Sequence, residues 1–185
     1  ARAGPFSDLE LRGGWFRREI DESIVWILIN PRTIQPVNTG EATADGYELA
    51  ASVRLTRFVR ASANHTWIDS RREENGARLP GQPKHETFAR LQLGPEEVWK
   101  LVGELQYVGE ILVNAGGSRR LPERTVWNAS AALNLVEVPG VPLERWITEL
   151  WIFGAVDNIG DRAVRDAVSF PQPGRSATFG IEGHW

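Results

Sequence analysis

Apolar and polar residues alternate with a period of two along most of this chain. Tyr47, Leu49, Ala51, Val53 and Leu55 are apolar, with Glu48, Ser52 and Arg54 between them. Val59, Ala61, Ala63, His65 and Trp67 alternate with Arg60, Ser62, Asn64 and Thr66. Thr87, Ala89, Leu91 and Leu93 interleave with Phe88, Arg90 and Gln92. The rhythm continues through 99–107, 127–135 and 175–185, the last placing Ala177, Phe179, Ile181, Gly183 and Trp185 on one face. Successive strand side chains point to opposite faces, so each segment predicts a strand with one apolar and one polar side. Segment 146–157 is ambiguous: Trp146, Leu150, Ile152 and Val156 compete with Trp151 and Phe153 on the other face. The opening region 8–30 is apolar-rich, with Leu9, Leu11, Trp15 and the run from Ile24 to Ile29. No segment scores better as a helix. The pattern predicts an all-β chain of about eight long strands.

The connections alternate as well. Short turns are expected at 56–57, 94–96 and 139–142, and longer polar links at 31–41, 71–84, 113–124 and 158–174. An antiparallel meander with tight turns on one rim and loops on the other has this rhythm. Transmembrane β-barrels combine short periplasmic turns with longer extracellular loops in the same way. If the last strand ends at the periplasmic rim, all four long links fall outside the cell.

Composition narrows the classes. The 185 residues carry a net charge of −3 with both signs interspersed, so no basic stripe for nucleic acid is present. There is no cysteine, hence no disulfide framework or thiolate metal site. No apolar run reaches the roughly 18 residues of a membrane helix, whereas barrel strands need only about ten alternating residues. The start, Ala1-Arg-Ala-Gly-Pro, reads as a processed, trimmed or split beginning. Among eight tryptophans, Trp99, Trp127 and Trp185 stand near strand ends on the apolar faces. With Phe179 they are the expected membrane anchors, since aromatic rings gather at lipid–water boundaries.

No catalytic, cofactor or metal residue is assigned. His65, His85 and His184 lack metal-ligand spacing, and Asp157, Asp161 and Asp166 read as turn residues. The stretch Asn114–Ser118 lacks the lysine and strand–helix context of a phosphate loop and reads as a flexible loop. Arg119, Arg120 and Arg124 read as a solvated loop, with lipopolysaccharide phosphates or an anionic ligand as the alternative.

Several phrases resemble a known family. Asn38-Thr-Gly-Glu-Ala-Thr-Ala-Asp-Gly46-Tyr-Glu48 resembles a strand phrase of TonB-dependent outer-membrane receptors. Leu79-Pro-Gly-Gln-Pro83-Lys-His85 is similar to the family's proline–histidine loop, Asn158-Ile-Gly-Asp161 to its late turn, and Pro173-Gly174-Arg175 to the approach to its final strand. The last residues, ending on Trp185, also resemble the C-terminal signal of outer-membrane proteins, except for Gly183. Over roughly 8–185 the resemblance implies an antiparallel transmembrane β-barrel meander in the bacterial outer membrane. Residues 1–185 would form the C-terminal part of a 22-stranded type of barrel, with plug domain and TonB box absent from this chain. It also implies energised uptake of a scarce ligand such as a siderophore or cobalamin. The partners implied are the remaining strands, the plug, the TonB system through it, and outer-membrane lipid. Two alternatives stay open. One is a self-contained eight-stranded barrel whose inward charges (Glu48, Arg54, Arg60, Arg90, Lys100, Glu104 and Glu182) pair across a narrow lumen. The other is a soluble β-sandwich binding module.

Overall fold

The computed structural model describes residues 7–22, 24–30, 32–38, 40–114, 117–140, 147–167 and 170–184. Fourteen strands follow in order: β1 (Ser7–Ile20), β2 (Ile24–Asn30), β3 (Thr33–Asn38), β4 (Ala42–Thr56), β5 (Val59–Arg72), β6 (His85–Leu93) and β7 (Trp99–Val108). Then come β8 (Ile111–Leu112), β9 (Arg120–Leu121), β10 (Arg124–Asn134), β11 (Glu149–Asp157), β12 (Arg165–Ala167), β13 (Phe170–Pro171) and β14 (Ser176–His184). No helix occurs among the described residues.

Eight of these strands make one antiparallel sheet in the order β1-β4-β5-β6-β7-β10-β11-β14. Each pairs with the next long strand in sequence, as a meander requires. The connections 57–58, 94–98 and 135–148 all leave from one rim, where Ser7 and His184 also lie; the first two are short turns, whereas the third, expected to be a tight turn at 139–142, separates β10 from β11 by fourteen residues. The connections 21–41, 73–84, 109–123 and 158–175, where the long links are expected, leave from the opposite rim. β1 and β14 lie at opposite ends of the order, and among the described residues they do not pair with each other.

Two details go beyond the reading of the sequence. The opening 8–30 region is not one strand: β1 ends at Ile20, and β2 belongs to the connection between β1 and β4. The break falls at Asp21-Glu22, where Glu22 takes a left-handed φ of 53° and the ladder is interrupted. The long links are also less irregular than their Gly, Pro and Asn content suggests. Three of them fold into small hairpins, β2–β3, β8–β9 and β12–β13. Trp146 and Trp185 lie outside the described residues, so the anchor role expected of Trp185 has no structural counterpart here.

Register resolves the ambiguous strand. Ile152 stands opposite both Leu133 of β10 and Ile181 of β14, and Val156 opposite Ala129 and Ala177. Directly opposed residues share a face. The even positions of β11 therefore continue the apolar face formed by the odd positions of its neighbours. Trp151 and Phe153 point to the other side.

The buried cluster among the described residues lies at one end of the wall: Val108 at the end of β7 with Ile111 and Leu121 of the connection that follows, and Val113 against them. No large side chain among the described residues is fully enclosed. A single sheet offers no second layer of its own, so its apolar face must be covered from outside.

Candidate functional site

The outer face is a continuous apolar belt. One row runs Trp99, Leu133, Ile152, Ile181 across β7, β10, β11 and β14. Another runs Leu11, Ala51, Ala63, Ala89, Leu105, Trp127 across β1 to β10. Phe179 is 81% exposed, Ile181 74% and Leu11 69%, values that a water-facing sheet does not sustain over such an area. Towards the loop rim the belt ends in aromatics: Trp15, Tyr47, Trp67 and His85 stand in one row, with the Tyr47 and Trp67 rings stacked at 5.5 Å. The next row is ionic. Asp45 and Asp69 oppose each other, and Arg17 reaches Asp45 at 3.8 Å while Arg71 and Lys84 reach Asp69 at 2.8 and 3.4 Å. Apolar, then aromatic, then charged is the order in which a bilayer gives way to water.

Of the expected anchors, Trp99 opens β7 at the short-turn rim, and Trp127 lies near the start of β10, on the loop side. Both sit on the belt's face. Phe179 differs. It faces outward but lies opposite Gly154, well inside the belt, with its ring 3.0 Å from where a Cβ on that glycine would stand. It fills the gap left by the glycine.

The inner face is polar, and its charges pair along the wall. Arg90 meets Glu104 on the neighbouring strand at 3.2 Å, Arg54 meets Asp8 at 3.3 Å, and Arg60 meets Glu96 at 3.5 Å. None of these three pairs crosses a lumen, contrary to the arrangement expected of a narrow eight-stranded barrel. Near the short-turn rim Lys100 lies 5.0 Å from the centre of the Trp151 ring. These two line an inward groove of about 370 Å³ with Ser130, Glu149, Phe153 and Glu182. Buried Asn134 closes this rim: its carbonyl oxygen accepts the N–H of Val136 and of Leu150, each at 3.2 Å, and its amide donates to the Glu97 carbonyl at 3.2 Å. It ties two turns together. Its position in the alternating pattern marks only a polar face, so the sequence offers no signal for that role.

At the loop rim, connections 73–84 and 109–123 form one unit. Pro83 bridges Ile111, the Gly81 N–H donates to the Leu112 carbonyl at 2.8 Å, and Ile111 pairs with Leu121. Buried Leu79 lies in the same unit. Arg78 reaches across it, donating to the carbonyls of Gln82 at 3.1 Å and Glu110 at 3.3 Å. Burial lowers the affinity of its guanidinium for a proton, opposed by the Asp69 and Glu110 carboxylates. The glycine-rich Asn114–Ser118 stretch, read as flexible, is closed by Asn114. Its side chain accepts the Arg119 N–H and donates to Ser118 Oγ, both at 2.9 Å.

The motif residues occupy strand ends and loop bases. Asn158 and Asp161 both have left-handed φ, 51° and 49°, which Asn and Asp tolerate better than other side chains. Asn158 is buried; its amide donates to the Arg162 carbonyl at 2.8 Å and its oxygen accepts the Arg162 N–H at 2.9 Å. Asp161 accepts the Arg175 N–H at 2.9 Å, across fourteen residues. A Cβ on Gly174 would stand 2.7 Å from that carboxylate. Thus two phrases far apart in sequence close one loop base, with Pro173 leading into it. Gly46 lies opposite Phe16, where any Cβ would run into the ring and the Trp67 carbonyl. Glu48 is on the inner face opposite Gly14 and Thr66. Asn38 ends β3 and accepts the Gly40 N–H at 2.9 Å. His85 opens β6, its carbonyl accepts the Gly109 N–H at 2.8 Å, and its ring lies 5.6 Å from His65. Among the described residues no group of three or more His, Asp or Glu side chains is placed to hold a metal ion.

Comparison with known proteins agrees with this geometry. Residues 3–159 match the family model described as "TonB dependent receptor-like, beta-barrel". Similar solved structures include the siderophore receptor PiuA from Acinetobacter baumannii, 20% identical with a TM-score of 0.68, the match covering 94% of this chain and 26% of that one. The copper transporter OprC is 17% identical with a TM-score of 0.73, covering 97% and 29%. The ferric enterobactin receptor PfeA from Pseudomonas aeruginosa is 17% identical with a TM-score of 0.66, covering 92% and 28%. The chain therefore spans between a quarter and three tenths of the length of these neighbours. Members of the matched family are bacterial outer-membrane proteins. This chain belongs to the TonB-dependent receptor β-barrel family.

Proposed function

We propose that this chain is a wall segment of an outer-membrane receptor for energised uptake of a scarce metal chelate. In this reading further strands continue the barrel past β1 and β14, and the segment is the C-terminal portion of a 22-stranded type of wall. The carrying observation is that, among the described residues, those two edges are unpaired in a sheet whose outer face carries a broad apolar belt. An open edge in hydrocarbon leaves backbone N–H and C=O groups without partners, which lipid does not tolerate. The inner face then surrounds a plug that couples to the TonB system, and the short-turn rim is periplasmic. The cargo class rests on the named neighbours, siderophore receptors and a copper transporter. The motif residues Asn38, Gly46, Glu48, Pro83, His85, Asn158, Asp161, Pro173, Gly174 and Arg175 hold strand ends and loop bases in this proposal and do not touch cargo. The test is the mass of the detergent-extracted native complex together with heat-modifiable gel migration. A folded species several times the mass of 185 residues, carrying a plug, supports the reading. A closed, heat-modifiable monomer of this chain alone refutes it and restores the eight-stranded alternative.

A further inference from the structure

The hairpin β2–β3 is unlike the rest of the loop rim. Its first strand, Ile24-Val-Trp-Ile-Leu-Ile-Asn30, contains no charge and no proline, and six of its seven residues are apolar with high β propensity. Ile24 and Trp26 are each 67% exposed, Ile29 52% and Ile34 37%. The hairpin lies beyond β1 and β4, past the ionic row, so lipid contact does not explain these exposures. The β8–β9 hairpin, by contrast, packs onto the buried Val108 cluster. In the two-stranded sheet β2–β3, β2 pairs on one side only. An isolated two-stranded hairpin is marginal in water. A long, flat, apolar edge strand is an aggregation site unless another strand covers it.

We infer that β2 is an interaction edge, and that its occupant is a loop strand of the same receptor. That strand rises from the neighbour that pairs with β1. The inference rests on the proposed continuation of the wall past β1. Topology puts β2 in continuation of edge strand β1, and β3 in continuation of β4. The chain that covers the membrane edge therefore arrives at the extracellular edge beside it. It adds main-chain hydrogen bonds to the open side of β2 and apolar side chains over Trp26 and Ile24. The rim would then hold an extracellular sheet of at least three strands on this side, matching the docked unit on the other.

The chain has no cysteine, so a single one introduced into it is unique within these residues. In outer-membrane vesicles holding the complete receptor, Trp26→Cys and Arg32→Cys are labelled with a membrane-impermeant maleimide, and backbone amide exchange is followed in parallel. Labelling at 26 is expected to be about tenfold slower or more than at 32, with the open-side amides of β2 protected to a similar degree. Equal labelling and fast exchange in β2, with the open-edge amides of β1 still protected, overturns the inference and leaves the wall reading intact. Fast exchange at both edges defeats the wall reading itself. Labelling at 26 that is slow with the impermeant maleimide but fast with a lipid-soluble one also overturns the inference, because the hairpin would then lie on the bilayer.

Discussion

Leu91→Arg is the sharpest test of which face meets lipid. On β7 the outward residues run from Trp99 to Tyr107, eight residues apart. That is about 27 Å of strand, or roughly 20 Å of membrane thickness at a tilt near 40°. The middle outward residue is Gly103, and Leu91 of β6 stands directly opposite it. Arginine at the midplane of a barrel's lipid face costs about 2–4 kcal/mol, falling to about 0–1 kcal/mol at the interfaces. Leu91→Arg should therefore lose about 2–4 kcal/mol, and Trp99→Arg, at the rim, only about 1 kcal/mol of electrostatic origin plus lost ring packing. Ser130→Arg sets the control: Ser130 lies beside Val102 at similar depth but on the inner face, where a surface substitution costs within about 0.5 kcal/mol. Urea unfolding of the complete receptor in lipid vesicles, read by heat-modifiable mobility, measures all three. A difference of 3 kcal/mol is about a hundredfold in the folded-to-unfolded ratio. Equal stability of Leu91→Arg and Ser130→Arg would refute the assignment of faces.

Other outcomes follow from single contacts. Gly46→Ala should destabilise the wall by about 1–3 kcal/mol as its Cβ meets the Phe16 ring, and Phe16→Ala should restore part of the loss despite the Trp67 carbonyl nearby, measured by the same unfolding curves. Arg78→Ala removes the donor to the Gln82 and Glu110 carbonyls, a local loss of about 1–3 kcal/mol. Amide exchange should then quicken in 73–84 and 109–123 together; quickening in only one would show that they are not a single unit. Although burial lowers the Arg78 proton affinity, an arginine stays charged across ordinary pH, so that protection should be flat between about pH 6 and 9. Asp161→Ala should loosen 158–175, seen as faster exchange at the Arg175 amide, while leaving 109–123 unchanged.

Much of this protein was legible in its residues because lipid imposes a strict rule. Each spanning strand must alternate, each backbone group must pair with a neighbour, and the two rims must differ. Tyr47–Leu55, Val59–Trp67 and Trp99–Tyr107 display the alternation with few exceptions, such as Ala50 and Val102, so strand type and facing follow from local order. The family phrases added what alternation does not carry, and the match over 3–159 bears the family out.

Tertiary structure decided what depends on partners distant in the chain. β11 presents apolar residues on both faces, and only its register with Leu133 and Ile181 chooses between them. Asn158 and Asp161 look like ordinary turn residues until Arg175 arrives fourteen residues later to use the carboxylate. Arg54, Arg60 and Arg90, which alternation places on the inner face, meet partners along the wall, because adjacent strands and their turns lie close. The 8–30 region is rich in apolar residues on both sides of Asp21-Glu22, and its division there into β1 and the β2–β3 hairpin is a matter of backbone conformation. Composition reports how much a segment prefers to be covered. What covers it is settled by the strands that fold alongside.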